Sequence, residues 1–452
     1  MLEILHTTFA FVVAIALLIA VHEYGHFSVA RRLGIKVEKF SIGFGPALLS
    51  WRSRDGEVLY VIAAIPLGGY VKMLGENPDE QGQEGQQLLS ESDKLRAFNR
   101  QPVWKRAAVA AAGPAYNFIF AIFAYMLVAW LGQSVLPPTV GYVAPASIAE
   151  QAGLQSGDRI LKVEGRDVHS WQQMEERLKG YVGDSATVNV NRDERDISLH
   201  MQLPAQEKDA LLIDVADQVL GFNPGLVVSI EEIMDSSAAQ RAGLQKGDVI
   251  KQINGIAIGN VNQFITQVQQ RAGEDVTLVV KRDRTMLSLT VIPVADSDQK
   301  GRLGVRLASQ SLHGTELYRM GVFEGVQYGF VRTWEMTALT LGVFAKMVTS
   351  AISPDNLGGP IAIAQLAGKT AELGLVYFVS FLALISVNLG VLNLLPIPIL
   401  DGGLLVYLGL EKLRGKPLSP RFLEMTQVVG LALIITLMVF AFYNDLSRLF
   451  RG

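Results

Sequence analysis

The chain has 452 residues, of which 50% are hydrophobic and only 18% are charged, against about a quarter charged in soluble globular proteins. This composition excludes an ordinary soluble protein and predicts a membrane protein, because the apolar residues are concentrated in runs near 5–30, 107–131, 375–400 and 425–443. The net charge of −3 argues against a nucleic-acid partner, and the absence of cysteine excludes disulfides and thiolate catalysis.

The first apolar run, 4–29, is predicted to be a retained transmembrane helix. It has no basic segment before it and is followed by Arg31 and Arg32, which is not the pattern of a cleaved signal peptide. Residues 31–106 contain twelve Lys and Arg against nine Asp and Glu, whereas residues 1–30 contain no Lys or Arg. The positive-inside rule therefore places the N-terminus outside and 31–106 in the cytoplasm.

A metal-binding motif lies inside this first helix. The HExxH motif places His22 and His26 one helical turn apart on one face, as a divalent ion requires, with Glu23 beside them as a candidate general base. At ~1.5 Å per residue, His22 lies roughly 13 Å along the helix from Arg31, below the cytoplasmic interface. Ionisable side chains at that depth are costly and usually functional. The alternative is a structural histidine pair in a helix bundle.

The cytoplasmic segment contains a predicted β-hairpin. Residues 60–65 and 70–74 are rich in apolar and β-branched side chains, and they flank Pro66-Leu67-Gly68-Gly69. If this hairpin enters the membrane beside the metal motif, its edge would hold a substrate as an added strand. The alternative is a hairpin on the cytoplasmic surface.

A second predicted span, 107–131, returns the chain to the outside, where a repeated motif follows. Residues 147–165 and 237–255 are identical at ten of nineteen positions, and each copy predicts a short helix, a Gly-Asp turn and a strand. A further helix and strand are expected at 172–178 and 187–191 in the first copy, and at 261–270 and 276–281 in the second. The pattern resembles tandem PDZ domains, 135–222 and 223–309, which bind peptides by strand addition. The alternative is a spacer or size filter.

The stretch 310–374 is predicted to form amphipathic helices at the outer surface. Residues 324–353 are apolar enough for a fifth span, but Arg332, Glu335 and Lys346 are spread through them. A charge at the bilayer centre costs roughly 2.5–3.5 kcal/mol on insertion scales, so an interfacial position is favoured. The alternative is a span that lines a channel.

The third predicted span, 375–395, leads into a segment that offers a third metal ligand. Catalytic zinc takes three protein ligands, and Asp401 is the other carboxylate at membrane depth. Pro396, Pro398 and the Gly-Gly pair after Asp401 prevent a continuous helix, and such a break can aim a ligand at a metal. The alternative is an ordinary loop with a helix-stop aspartate.

The predicted topology is consistent with this pairing. A cytoplasmic loop at 404–421 and a fourth span with its tail at 422–452 complete the chain, so the first and third spans run in one direction. HExxH and Asp401 then meet near the cytoplasmic side. A fifth span within 324–353 would carry Asp401 to the outer face instead.

These motifs together resemble the site-2 protease family of intramembrane zinc metalloproteases. The resemblance is carried by HExxH, by Asn393-x-x-Pro396-x-Pro398-x-x-Asp401-Gly402, and by Gly43-Phe44-Gly45-Pro46, Pro66-Leu67-Gly68-Gly69-Tyr70 and Ala112-Gly113-Pro114-x-x-Asn117. It implies a multi-pass α-helical membrane protein of four transmembrane helices, with a membrane-associated β-hairpin and two inserted α+β PDZ domains. It also implies Zn²⁺ held by His22, His26 and Asp401, with Glu23 as the general base.

The resemblance further implies substrates and a location. The substrates would be single-pass membrane proteins, namely an anti-sigma factor whose outer domain is already trimmed and remnant signal peptides, cleaved in the bacterial inner membrane. Both termini and the PDZ domains would be periplasmic, and peptide C-termini and the lipid bilayer would be further partners. The residues expected to contact substrate are Gly43, Gly45, Gly68, Gly69, Tyr70, Asn393, Pro396 and Pro398.

Two other functions fit parts of the sequence. One is a PDZ-containing membrane receptor with structural zinc, and the other is a metal transporter with a midplane ion site. Glu23 disfavours both, because neither needs a base beside two imidazoles. Three asparagines in apolar spans, Asn117, Asn388 and Asn393, are candidates for binding substrate backbone or orienting ligands, with interhelical hydrogen bonds as the alternative.

Overall fold

The computed structural model describes residues 2–76, 90–205, 214–224, 226–259, 261–296, 299–311, 314–348 and 359–451. Contacts divide the chain into two compact units. The helical unit combines Met1–Gln133 with Arg319–Gly452, and the repeat unit is Ser134–Tyr318. The metal motif and Asp401 therefore belong to one unit, although most of the chain separates them.

The helices and strands follow in three blocks along the chain. The first block contains α1 (Leu2–Arg32), β1 (Val37–Arg52), β2 (Leu59–Met73), α2 (Glu91–Arg96) and α3 (Val103–Leu131). The second contains β3 (Gln133–Val135), β4 (Tyr142–Val143), α4 (Ile148–Gln151), β5 (Arg159–Val163), β6 (Arg166–Asp167), α5 (Trp171–Lys179), β7 (Ser185–Arg192), β8 (Arg195–Gln202), a π-helix (Val215–Leu220), β9 (Phe222–Asn223), β10 (Leu226–Ile233), α6 (Ala238–Arg241), β11 (Val249–Ile253), β12 (Ile256–Ala257), α7 (Val261–Gln269), β13 (Val276–Arg282), β14 (Thr285–Val291), β15 (Val294–Ala295), β16 (Gly301–Arg302), β17 (Val305–Ser311) and β18 (Glu316–Tyr318). The third contains α8 (Val322–Val348), α9 (Pro360–Leu373), α10 (Leu375–Leu394), α11 (Asp401–Arg414) and α12 (Pro420–Arg451).

Four helices of the helical unit are long and apolar enough to cross a membrane. They comprise Glu3–Arg32, Val103–Leu131, Leu375–Leu394 and Pro420–Ser447, with mean hydropathies between 1.6 and 2.5. Small residues line their contacts: alanines of α1 pack with Ala367 of α9, and alanines of α3 pack with Ala383 of α10. Close helix packing through small side chains is typical of membrane bundles. These helices coincide with the four predicted spans.

Strands β1 and β2 of the helical unit form one sheet, and each of them bends so that it contributes two strand segments. Residues 39–42 of β1 pair on one side with 69–72 of β2 and on the other with 59–62, so that Ser41 lies opposite both Tyr70 and Val61. Residues 47–52 then pair with the outer side of 59–63. The segment 69–73 is consequently an edge of this sheet, and in the described part of the chain no further strand pairs with it.

The predicted hairpin at 60–74 is therefore wrong in its pairing. Its two halves do not pair with each other, because residues 39–42 lie between them. The chain turns back sharply in β1 at Gly43 and Gly45, whose φ angles are +91° and +86°, a region that favours glycine. The Gly-Phe-Gly-Pro sequence interrupts the alternation of apolar residues, which hides β1 from pattern reading.

Helix α8 lies in the stretch 310–374 that the sequence predicts to form amphipathic helices, and it is not one of the described helices that are long and apolar enough to cross a membrane. It packs along α3, where a Cβ on Gly325 would lie 2.3 Å from Trp130 and one on Gly329 would lie 2.5 Å from Met126. Further on, Thr340 Oγ1 donates to Asn388 Oδ1 at 2.8 Å. Asn388 lies about 20 Å along α10 from its first residue, at ~1.5 Å per residue.

The charges of α8 are accommodated within this packing. Arg332 and Glu335 form an ion pair of 3.0 Å on the helix, and both are only partly exposed. Pairing lowers the cost of bringing these charges toward apolar surroundings, and hydropathy along the sequence does not register it. Residues 349–353, the end of the predicted amphipathic segment, lie outside the described residues.

A further difference concerns the predicted cytoplasmic loop at 404–421. Its first part is helical, because α11 runs from Asp401 to Arg414 and ends at Gly415 with φ +69°. At the last turn of α11, Glu411 accepts hydrogen bonds from Arg106 of α3 within a largely buried ion pair. Lys412, Arg414, Lys416 and Arg421 lie in this segment, and their charges are typical of a solvated connection.

The repeat unit contains two copies of one arrangement, each with its own apolar core. Helices α5 and α7 and strands β7 and β13 lie where the repeated pattern predicts them. In each copy the aspartate of the Gly-Asp turn is fully buried and bonded to an arginine thirty-four residues later, as Asp158–Arg192 and Asp248–Arg282. The same arginines donate to the carbonyls of Gly153 and Gly243. The turn is therefore held in both copies by the same buried ion pair.

One buried carboxylate makes the stability of the repeat unit depend on pH. Burial and the nearby Asp214 raise the pKa of Glu175 from 4.5 to about 7, although the amides of Ala216 and Val215 donate to it. Because the folded-state pKa is raised, the stabilisation is present below about pH 4.5 and is lost as pH rises through about 7. The loss corresponds to about 3 kcal/mol.

Thermal unfolding of residues 134–318 near pH 5 and near pH 8 tests this expectation. We expect Glu175→Gln to remove most of the decrease in melting temperature at the higher pH. Glu176→Gln changes the exposed neighbour, which bonds only to Gln172 among the described residues, and should leave the decrease intact. An unchanged pH dependence in Glu175→Gln would contradict the expectation.

Candidate active site

Helices α1 and α3 cross in close contact at two glycines. A Cβ on Gly25 would lie 2.4 Å from the carbonyl oxygen of Ala112. A Cβ on Gly113 would lie 2.3 Å from His26 Nε2 and 2.7 Å from His22 Cε1. These distances are far below ordinary van der Waals contact. Gly113 therefore leaves the space that the two imidazoles occupy.

The two imidazoles and the Asp401 carboxylate converge on one point. His22 Nε2 lies 3.2 Å from His26 Nε2, 3.3 Å separate His22 Nε2 from Asp401 Oδ2, and 3.5 Å separate His26 Nε2 from Asp401 Oδ1. Tetrahedral zinc with bonds of about 2.1 Å holds its ligand atoms about 3.4 Å apart. The three side chains are largely buried. Their spacing and chemistry therefore fit a zinc ion with a fourth position left for water.

The break after α10 positions Asp401. Helix α10 ends at Leu394, Ile399 has a φ of +87°, and Asp401 is the first residue of α11, so it begins the next helix instead of ending the third span. Cβ atoms on Gly402 and Gly403 would lie 2.2 Å and 2.4 Å from carbonyl oxygens of the break. The Gly-Gly pair thus lets the broken backbone fold tightly over the start of α11.

A backbone carbonyl that the sequence could not reveal orients the second imidazole. His26 Nδ1 lies 2.8 Å from the carbonyl oxygen of Val109 in α3, which leaves Nε2 for a metal. Pro114 has no N–H, so it leaves the carbonyl of Ala110, the neighbour of Val109, without its helical hydrogen-bond donor. An apolar residue carries no sequence signal for such a role. Only the Gly-Pro pair inside a helix hinted at irregular bonding there.

Glu23 and the sheet edge face the same cavity as the metal ligands. This cavity of about 280 Å³ is lined by His22, Glu23, His26, Asp401 and Asn393, and on the sheet side by Gly69 and Tyr70. A Cβ on Gly69 would lie 2.8 Å from Glu23 Cγ, so glycine allows the edge strand to approach the glutamate closely. A carboxylate in this position can take a proton from a water beside the metal ligands.

Five of the residues predicted to contact substrate are not among the described residues that line this cavity. They are Gly43, Gly45, Gly68, Pro396 and Pro398. The glycines make the bends of the sheet; a Cβ on Gly68 would lie 2.1 Å from the ring of Phe44. The carbonyl oxygen of Pro398 lies 2.4 Å from the position of a Cβ on Gly430 of α12. These residues therefore position the backbone around the cavity and do not line it themselves.

The three asparagines of the apolar spans have different surroundings. Asn388 accepts a hydrogen bond from the hydroxyl of Thr340 on another helix, which is the interhelical role given above as the alternative. Asn393 lines the cavity, with Nδ2 3.5 Å from both nitrogens of His22. Asn117 is fully buried against His22 Nδ1 at 3.0 Å. Among residues not foreseen, Phe98, Ile399, Leu400 and Leu404 add an apolar lining.

The repeat unit contains a second candidate site, a groove between α7 and β17. It has a volume of about 480 Å³ and a largely apolar lining that includes Phe264, Ile265 and Val268 of α7. In the described part of the chain, the amides of Leu303 and Gly304 at its end donate no hydrogen bond. The residue of α5 that corresponds to Ile265 is Glu175, which is already bonded to the π-helix.

The geometry defines the class of protein. Two imidazoles and a carboxylate that could hold a metal ion, with a separate glutamate beside them, are the set of groups that a metallopeptidase uses, and they lie among helices that are long and apolar enough to span a membrane. The sequence profile of peptidase family M50 matches residues 10–437. The chain belongs to this family and is a zinc metalloprotease.

Relatives match over almost the whole chain. Protease RseP of Yersinia pestis is 40% identical over 464 residues, covering 99% of this chain and 100% of the relative. Regulator of sigma-E protease RseP of Escherichia coli is 40% identical over 460 residues, with the same shares. A zinc metalloprotease of Vibrio cholerae is 38% identical over 462 residues, covering 99% and 100%. Among solved structures, the PDZ domain of the SdrC-like protein of Listeria monocytogenes matches 18% of this chain and 86% of its own at 22% identity, with a TM-score of 0.17.

Proposed function

We propose that this zinc metalloprotease cleaves peptide bonds inside the membrane, with the ion held by His22, His26 and Asp401. The observation that carries the proposal is the spacing of these three ligand groups, 3.2 to 3.5 Å apart. The two histidines lie on a helix that is apolar enough to span a bilayer, and Asp401 follows the end of another such helix. A purely structural zinc site usually has four protein ligands. Three ligands next to a glutamate in an open cavity favour catalysis.

In this mechanism the chain's own residues hold the substrate and move a proton. A bound zinc ion would supply Lewis-acid chemistry, polarising the scissile carbonyl and acidifying a water. Glu23 takes the proton of the attacking water and can return it to the leaving amine. Asn393, which lines the cavity, would donate a hydrogen bond from its amide to a substrate carbonyl. The apolar lining excludes bulk water from this exchange.

The edge strand 69–73 is the proposed substrate cradle. A helical substrate hides its carbonyls in its own hydrogen bonds, so it must unwind before hydrolysis. An unwound segment would replace those bonds by pairing with the edge strand, as in other peptide complexes formed by strand addition. The close approach of Gly69 to Glu23 brings the added strand to the catalytic carboxylate.

The sheet is proposed to dip into the membrane with its turns first. Exposed apolar side chains lie at its turn end, including Phe44, Leu48 and Ile65, while its other end carries charges such as Lys39 and Lys72. A polarity gradient along the strands suits insertion from one side of a bilayer. With 31–106 in the cytoplasm, this placement supports periplasmic termini and an inner-membrane location.

The proposed substrates are single-pass membrane proteins. Relatives named regulator of sigma-E protease support an anti-sigma factor, shortened beforehand on the outer side, and remnant signal peptides are the second group. Both present a single apolar helix to the cavity. The peptide C-termini left by earlier trimming are the proposed ligands of the α7–β17 groove, whose two end amides donate no hydrogen bond among the described residues and would bind a carboxylate.

Reconstitution tests the proposed activity. The full-length protein in vesicles with a synthetic single-pass substrate should cut within the apolar segment. A chelator should stop cleavage, and added Zn²⁺ should restore it. A substrate with a soluble, already extended segment outside the bilayer serves as the control for contaminating proteases. Zinc binding without cleavage would favour a receptor with structural zinc instead.

Peptide binding by the repeat unit has its own test. Ile265→Lys places a charge in the apolar groove, and we expect at least about tenfold weaker binding of a peptide with a free, apolar C-terminus, measured by fluorescence anisotropy. Thr266→Lys adds the same charge at the next, exposed position of α7 and should bind normally. If the same peptide with an amidated C-terminus bound with equal affinity, the groove would not recognise the terminal carboxylate.

A further inference from the structure

The two histidines proposed to bind the metal differ in the hydrogen-bond partner of their Nδ1 atoms. His26 Nδ1 is bonded to the Val109 carbonyl, an atom that can only accept. His22 Nδ1 instead faces the Asn117 side chain, with Nδ2 at 3.0 Å. An imidazole that binds a metal through Nε2 carries its proton on Nδ1 and must donate it. An amide nitrogen cannot accept that proton.

The other atom of the Asn117 amide, Oδ1, also lacks a suitable partner in this orientation. It is fully buried, and its Oδ1 has no hydrogen-bond partner among the described residues. An unpaired buried carbonyl oxygen is costly. Rotating the amide by 180° exchanges two atoms of similar size, and their assignment rests on the hydrogen-bond network. The rotation gives Oδ1 the Nδ1 proton of His22 and removes the unpaired oxygen beside the imidazole.

The backbone around Asn117 holds this side chain in place. Its main-chain carbonyl accepts the hydroxyl of the fully buried Ser386 of α10 at 2.9 Å. Val109, Gly113 and Asn117 follow one another at four-residue intervals along α3, so they lie on one face of the helix. One helix face thus offers an acceptor to each imidazole and, between them, the space in which both rings fit.

We propose that Asn117 is a positioning residue that fixes the tautomer and orientation of His22 through its side-chain oxygen. This inference rests on the proposed metal site and deepens it. Outer partners of metal-binding histidines typically contribute 10–100-fold to metal affinity. The role explains why a polar side chain is buried in an apolar span without contacting the ion itself.

The test is the zinc affinity of the full-length protein in detergent, measured by competition with a chromophoric chelator. Asn117→Leu removes the acceptor, and we expect roughly 10–100-fold weaker zinc binding. Asn117→Asp keeps an oxygen toward Nδ1 and should stay within a few-fold of the native protein. Co²⁺ substitution gives a second readout, because the d–d absorption of a tetrahedral site should be perturbed in the leucine variant and retained in the aspartate variant.

Asn388→Leu is the matched control, because it removes a partly buried interhelical hydrogen bond away from the metal ligands. It should lower the melting temperature of the metal-free protein but not the zinc affinity. If Asn117→Leu binds zinc as tightly as Asn388→Leu, or if Asn117→Asp weakens binding as much as leucine does, the positioning role is wrong. Native protein that binds no zinc would overturn the proposed site as well, so the two failures are distinguishable.

Discussion

Replacing Glu23 by glutamine is expected to reduce cleavage of a transmembrane substrate by about 10²–10⁴-fold while leaving zinc in the protein. The amide has the size of the carboxylate but cannot take a proton from water. Glu23 is not one of the three groups whose ligand atoms converge, so its loss removes no bond to the ion. Cleavage in vesicles and metal content of the same sample measure the two effects separately.

Tyr24→Phe is the matched control for this substitution. Tyr24 is the next residue of α1, is half exposed, and packs against Tyr116 instead of the cavity. Normal cleavage is expected, because only a hydroxyl outside the cavity is removed. Equal rates for native protein and Glu23→Gln would rule out Glu23 as the base, whatever the zinc content.

Replacing Asp401 by alanine is expected to weaken zinc binding by more than about 100-fold, beyond the range for outer partners. Asp401 supplies one oxygen toward each imidazole, at 3.3 and 3.5 Å. Its removal leaves two ligands for an ion that needs three from the protein. Competition with a chelator measures the affinity, and cleavage should fall in parallel unless Zn²⁺ is added in large excess.

Asp445→Asn separates this effect from the general loss of a buried carboxylate. Asp445 of α12 is also buried, but it accepts the amides of Gly359, Ile361 and Ala362 at the start of α9. Its change should lower thermal stability and leave zinc affinity unaltered. If Asp401→Ala kept its zinc, the third ligand would have to be another group.

The sequence singles out the proposed metal ligands and the proposed base because each of them contradicts its surroundings. His22, Glu23, His26 and Asp401 are ionisable groups beside or within apolar runs, and such placement costs too much to occur without a reason. The repeat was equally visible, since identity at fixed spacing needs no structural context. Helix α11 was missed because its charged last turn resembles a solvated loop, whereas the bond between Glu411 and Arg106 buries it.

The sheet could be predicted only in part. The prediction of extended strands at 60–65 and 70–74 agrees with the structure. The segment 39–42 that pairs between them cannot be inferred from the pattern of residues at 60–74. The central strand contains Gly43 and Gly45, and its charged start at Glu38 and Lys39 does not read as a buried strand. Long-range pairing and backbone contacts, such as that of the Val109 carbonyl, arise only when the chain is folded.

The helical unit is assembled from two ends of the chain, and this has a consequence for biosynthesis. The imidazoles lie on the first helix to be made, whereas their carboxylate partner follows the whole repeat unit in sequence. A nascent chain therefore carries an incomplete set of ligands until its last quarter is inserted. With the proposed ligand set, we expect the nascent protease to be inactive until Asp401 has been made, so that its own synthesis must be nearly finished before it can cleave other membrane proteins.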